Sequence, residues 1–204
     1  MTRTYLALGD SYTIGEGVAE NGRWPMQLAQ VLRDDGFDIA QPRIIATTGW
    51  TTDELSAAID AAEPLGKYDL VSLLIGVNNQ YRGRSVAEYR EQFATLLARA
   101  IAAAGDRAQR AFVLSIPDWG VTPFAAQQQR DVARIAAEID AFNAAANEIC
   151  NANGVAFIDI TAVSRQRGFD AEMLADDGLH PSAAMYARWA TLALPVVKAL
   201  LAKD

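Results

Sequence analysis

Four short segments carry residues whose types and spacing could do chemistry. In the first, Gly9-Asp10-Ser11-Tyr12-Thr13, a serine follows directly on an aliphatic run, Thr4–Leu8. A glycine there permits a sharp exit and sets Ser11 at or near the start of a helix. Its hydroxyl is then exposed, with neighbouring backbone N–H groups able to stabilise an oxyanion. Serine is also a favoured helix N-cap, so this segment alone does not decide. The second, Thr47-Thr48-Gly49-Trp50, has a glycine whose N–H could approach a substrate closely, or a turn glycine before a helix capped by Thr52. In the third, Ile75-Gly76-Val77-Asn78-Asn79, the Asn78 amide can donate to a developing oxyanion without gaining or losing a proton. Asparagine is equally at home in a turn. The fourth is Asp176-Asp177-Gly178-Leu179-His180-Pro181-Ser182, and it holds the only histidine of the chain. An aspartate at Asp177 can accept the Nδ1 proton of His180, fix the tautomer and leave Nε2 to face a hydroxyl. Pro181 and Ser182 stiffen that loop as it enters the last helix.

These segments matter together only if one scaffold brings them to one place. Aliphatic runs at Thr4–Leu8, Arg43–Ala46, Leu70–Ile75, Ala111–Ile116 and Val155–Ile160 read as strands buried on both faces. Patterns of helical period separate them. Trp24, Leu28, Val31 and Leu32 make one stripe, closed by Gly36. Ser85 and Glu88 form a capping-box signature before Val86, Tyr89, Phe93, Leu96, Leu97 and Ala100. A long helix follows through Val132, Ile135, Ile139, Phe142, Ala146 and Ile149, ending by Gly154. Ser182 caps the final one, with Met185, Trp189 and Leu192 expected to face inward. Pro195 should kink or interrupt it, because proline removes a backbone donor and clashes with the preceding turn. Such alternation implies an α/β protein with one five-stranded parallel sheet, helices on both sides, over a single domain spanning residues 1–204. Ligands of such sheets bind beyond the carboxyl ends of the strands. The first three segments each follow a strand, and the histidine loop comes late, which meets the requirement for nucleophile, base, orienter and oxyanion donors on one rim.

Taken in order, Gly9-Asp10-Ser11, Gly49, Gly76-x-Asn78 and Asp177-x-x-His180 resemble the four blocks of the SGNH (GDSL-type) hydrolases, across nearly the whole chain. The resemblance implies a flavodoxin-like, three-layer α/β/α sandwich with strand order 2-1-3-4-5. It implies Ser11 as nucleophile, His180 as base and Asp177 as its orienter, with Ser11 N–H, Gly49 N–H and the Asn78 side chain as oxyanion donors. The sequence departs from the pattern at Tyr12, where leucine is common, and at Asn79, where aspartate is common; the second puts the usual supporting hydrogen bonds in doubt. The implied reaction is ester hydrolysis through an acyl-enzyme, with no cofactor and no metal. The alanine-rich helical pattern offers no long acyl tunnel or amphipathic lid, which favours small acyl or acetyl esters; thioesters and lysophospholipids are alternative substrates of the same site.

Composition agrees with that chemistry. A formal net charge of −7 argues against a nucleic-acid partner. One histidine and one cysteine cannot build a zinc site of nitrogen and sulfur ligands. Cys150 reads as a half-buried structural thiol. No apolar run reaches the ~18 to 20 residues of a membrane span, so stable membrane insertion is not expected. The start, Met1-Thr2-Arg3, leads straight into the first strand, and the expected location is cytoplasmic. Near the catalytic rim, Trp50 and Trp119 could wall an acyl pocket or stack on a sugar. Arg82 and Arg84 could grip a carboxylate or phosphate of the substrate. A phosphate- or flavin-binding module would also use the helix start after the first strand. That reading leaves Asn78 and the Asp177/His180 pair without a role. A non-catalytic carbohydrate-binding relative would not need the full set of reactive groups.

Overall fold

The computed structural model describes residues 2–202. Its strands are β1 (Tyr5–Gly9), β2 (Arg43–Ala46), β3 (Leu70–Leu74), β4 (Ala111–Leu114) and β5 (Ala156–Ile158). They form one five-stranded sheet in the order β2-β1-β3-β4-β5, every neighbouring pair parallel. β1, β3 and β4 are buried at every residue, as strands covered on both faces must be. The two hydroxyls among them, of Tyr5 and Ser72, satisfy each other at 2.9 Å. β1 lies between β2 and β3, with Gly9 in register with Ala46 on one side and Leu74 on the other. Three strands end earlier than the apolar runs suggest. After β4, for example, the Ile116 N–H and C=O turn to the Asn143 side chain, at 2.8 and 3.0 Å, instead of a neighbouring strand.

The helices are α1 (Ser11–Ile14), α2 (Trp24–Asp34), α3 (Thr52–Ala62), α4 (Val77–Tyr81), α5 (Val86–Ala103), α6 (Pro123–Gln127), α7 (Val132–Ala152), α8 (Thr161–Arg167) and α9 (Ala183–Leu201). α2 packs on α9, and α5 packs on both α3 and α7, which gives the helical layers their two faces. Caps decide where several begin. Ser85 Oγ accepts the Glu88 N–H at 3.1 Å, but the Glu88 carboxylate pairs with Arg84, so only half of the expected box forms. The complete box opens α3. There Glu54 accepts the Thr51 N–H at 2.8 Å, and the cap is Thr51 rather than Thr52.

Some expectations fail for clear reasons. Leu192 is exposed, because the inward stripe of α9 runs through Met185, Trp189, Ala193 and Val197 and leaves Leu192 to one side. Val132 is exposed too, as the first residue of α7, ahead of the stripe that meets the core at Ile135. Pro195 does not interrupt α9. It stands on the solvent side, where water can hydrate the carbonyl that loses its partner. α9, with 19 residues, is long and apolar enough to cross a membrane, contrary to the reading of the sequence. Its apolar stripe is nonetheless buried in the core, and it is tied to α2's end by Lys198–Asp35 at 2.8 Å. Cys150 is fully buried rather than half-buried, and burial pushes its thiol up to about 12. A thiol so protonated is no nucleophile.

Candidate active site

The site grows from the carboxyl end of β1. Gly9 is required there by space: a Cβ would lie 2.2 Å from Thr13 Oγ1 and 2.5 Å from the Leu74 carbonyl. A side chain there would collide with Thr13 of α1 and with the end of β3, so only glycine lets the chain turn so tightly from β1 into α1. Asp10 caps α1 by accepting the Tyr12 N–H at 3.0 Å, and Ser11 is the first helical residue. The Asp10 side chain is wholly buried, its second oxygen has no partner, and burial raises its carboxyl to about 7. Ser11 Oγ has no hydrogen-bond partner among the described residues. It faces a cavity of about 250 Å³ that is also lined by Gly49, Asn78 and His180.

His180 reaches the cavity from the loop before α9. Its Nδ1 lies 2.5 Å from Asp177 Oδ2. Asp177 Oδ1 accepts the backbone N–H groups of Leu179 and His180, each at 2.9 Å. Partial burial works to raise the Asp177 carboxyl, but the His180 ring and these backbone donors outweigh it, and its pKa lies below the usual carboxylate range. The aspartate is therefore a fixed anion that orients the imidazole. Tyr12 packs edge-on against the ring with centroids 5.9 Å apart, which gives this departure from the common leucine a packing role.

α4 and its C-cap residue, Arg82, grip the Gly49 loop at two successive carbonyls. Asn78 Nδ2 donates to Trp50 O at 2.9 Å, and Arg82 Nη2 donates to Gly49 O at 2.6 Å. Asn78 carries two amide protons, so one remains for the cavity. Gly49 adopts φ +88, a conformation that favours glycine. Asn79 completes the junction, accepting the Thr52 N–H at 3.1 Å and donating to Thr52 Oγ1 at 2.7 Å. The asparagine at this position thus supplies support of its own. Thr48 adds a bridge from its hydroxyl to Glu16.

The structure sorts the residues expected to bind substrate. Trp119 lines the cavity, with its indole N–H held by Gln80 at 2.9 Å. Trp50 does not line it: the indole packs against the core, and only its carbonyl serves the site. Arg82 and Arg84 are not free to grip a substrate. Arg82 pairs with Glu54 at 3.3 Å as well as Gly49 O, and Arg84 pairs with Asp53 at 2.6 Å and Glu88 at 3.3 Å. The remaining walls, Val77, Tyr81, Phe124 and Leu179, escaped sequence reading. For Val77 and Leu179 the place next to Asn78 and His180 was the only available signal, and Phe124 had none. A larger groove of about 640 Å³ lies between α7 and α8, away from these groups. Its polar side chains are bonded largely to one another, as in Ser115 with Thr161 at 2.7 Å and Arg165 with Asp140 at 2.9 Å. Among the described residues no group of histidine, cysteine, aspartate and glutamate could hold a metal ion.

Solved structures share this architecture. TesA is 23% identical with a TM-score of 0.72, the alignment covering 97% of this chain and 99% of that one. The lipase/acylhydrolase from Enterococcus faecalis is 22% identical over 97% and 96% of the two chains, with a TM-score of 0.75. Axe2-W215I, an acetyl xylan esterase from Geobacillus stearothermophilus, is 19% identical over 96% and 94%, with a TM-score of 0.72. At these identities the likeness establishes the fold. No curated protein matches the chain in sequence. Residues 7–188 do match the sequence profile of the GDSL-like lipase/acylhydrolase family, a stretch running from β1 through the histidine loop into α9. The chain belongs to that family and is a hydrolase of ester bonds.

Proposed function

We propose that the protein hydrolyses small carboxylic esters through an acyl-enzyme on Ser11. The observation that carries this reading is the convergence of Ser11, Gly49, Asn78 and an Asp177-anchored His180 on one cavity. His180 Nε2 takes the hydroxyl proton as Ser11 Oγ attacks the ester carbonyl. The carbonyl oxygen becomes an anion and accepts hydrogen bonds from the Ser11 and Gly49 N–H groups and from the free Asn78 amide proton. Asp177 stabilises the imidazolium without taking its proton. His180 then protonates the departing alkoxide, and a water molecule releases the acid by the same steps, with His180 again as base. The cavity favours short acyl groups. Its volume of about 250 Å³ lies below the range of roughly 300–1,000 Å³ typical of pockets for larger organic ligands, and Val77, Tyr81, Trp119, Phe124 and Leu179 close it with apolar surface. The test is a series of p-nitrophenyl esters of increasing chain length, with Ser11→Ala as control. Turnover should be best for short chains and vanish in Ser11→Ala. Persistence of turnover in that variant would overturn the assignment.

A further inference from the structure

Arg82 and Arg84 are committed to Glu54, Asp53, Glu88 and the Gly49 carbonyl, yet a third arginine stands beside the cavity with no such commitment. Arg130 lies in the loop between α6 and α7 and is exposed. Its guanidinium carbon is 5.2 Å from the centroid of the Tyr81 ring and 5.4 Å from that of Trp119. Those two rings, themselves edge-on at 5.4 Å, form part of the wall of the Ser11 cavity.

The nearby acids are occupied elsewhere. The Asp131 carboxylate caps α7 by accepting the Arg134 N–H at 3.0 Å. Glu138 accepts from Arg134 Nε and from Gln80 Nε2, each at 2.7 Å, and feels Arg130 only through its charge. Among the described residues the Arg130 side chain makes no ion pair and no hydrogen bond. The backbone holds it in place at some cost: Gln129, a non-glycine residue, adopts φ +51, and the Arg130 N–H then closes on Ala125 O at 3.0 Å.

A guanidinium held over aromatic rings is attracted to them as a cation, and that contact leaves N–H donors available to a further partner. Those donors form a fork that matches a carboxylate, sulfonate or phosphate. The rest of the molecule repels anions, with a formal net charge of −7, so a local cation of this kind would dominate their recognition. We infer that Arg130 forms an anion subsite beside the aromatic end of the catalytic cavity, and that the enzyme favours esters carrying a negative group remote from the scissile bond. This deepens the Ser11 reading and rests on it.

Two size-matched pairs of esters test the inference. p-Nitrophenyl pentanoate against mono-p-nitrophenyl glutarate places the charge on the acyl side. p-(Methylsulfonyl)phenyl butanoate against p-(butanoyloxy)benzenesulfonate places it on the alcohol side. The quantity read is the anionic-to-neutral ratio of kcat/KM. Arg130→Gln should lower that ratio about tenfold in one of the pairs, as loss of a charge-assisted hydrogen bond would. Arg130→Lys should keep part of the preference, having the charge without the fork. Unchanged ratios in both pairs would overturn the inference. So would an equal loss on neutral and anionic esters, which would make Arg130 a packing residue for Tyr81. Failure of the parent reading has a separate signature, neutral-ester turnover that survives Ser11→Ala.

Discussion

Replacing Asp177 by asparagine should separate orientation of the histidine from the stability of its loop. Asp177 Oδ1 holds two backbone N–H groups, Leu179 and His180, at 2.9 Å, while Oδ2 faces His180 Nδ1 at 2.5 Å. In Asp177→Asn the two backbone donors keep the amide oxygen where Oδ1 was, because the amide nitrogen cannot accept from them. The NH2 group must then point at Nδ1. A donor there selects the tautomer with Nδ1 bare and the proton on Nε2, the atom that has to receive the Ser11 proton. The expected loss in kcat is on the order of 10⁴, about 5 kcal/mol of activation free energy. The folding cost is much smaller. One charge-assisted hydrogen bond of about 1.5–3 kcal/mol is weakened, and the Asp177 side chain is 43% exposed, so solvent screening reduces the cost to roughly 1 kcal/mol. In a protein of this size that is a fall in Tm of about 2–4 °C. The assay is steady-state turnover of the best short ester, with a thermal melt of the same preparation. A kcat within tenfold of wild type at an intact Tm would refute the tautomer argument. A collapse in Tm would refute the claim that the two backbone bonds survive.

Other outcomes follow from the same geometry. Asn78→Asp loses the donor and sets a carboxylate against both Trp50 O and the developing oxyanion, so kcat should fall by about 10²–10³ with a much smaller change in KM; near-normal turnover would remove Asn78 from the site. Arg82→Ala frees the Gly49 carbonyl and should lower kcat by roughly tenfold, with partial recovery in Arg82→Lys; a change confined to KM would instead return Arg82 to substrate binding. Asp10, raised by burial to about 7, carries a stability cost that grows as pH rises from its unfolded value near 4 through the folded one. Asp10→Asn keeps the cap acceptor and cannot ionise, so its melting temperature relative to wild type should be higher at about pH 8 than at about pH 4; an equal difference at both would show that Asp10 does not titrate on folding.

The sheet was legible because burial on both faces demands uninterrupted apolar runs, and Tyr5–Gly9 and Leu70–Leu74 can satisfy no other environment so well. Ser11 and Asn78 were legible because each stands just past a strand end, where a parallel sheet collects its ligands, and His180 because it is the only histidine, with Asp177 three residues before it. What failed to show were distances across the fold. Nothing local tells that Glu54, in the first turn of α3, will meet Arg82, so Arg82 looked free. The indole of Trp50 and the carbonyl of Trp50 lie on opposite sides of one residue, and only the backbone half serves the site. Arg130 drew no attention because its partners, Tyr81 at the end of α4 and Trp119 in the segment after β4, are distant in sequence. Helix rotation was read one position wrong at Leu192, where Ala193, the smaller residue, takes the buried place.

The central claim, that Ser11 is a nucleophile activated by His180, is tested most directly by covalent labelling with a fluorophosphonate followed by peptide mapping. One label per chain, on Ser11, is expected in the wild type, with His180→Ala losing labelling by several orders of magnitude at an unchanged fold. A label on any other serine, or labelling of Ser11 that is indifferent to His180, would contradict it.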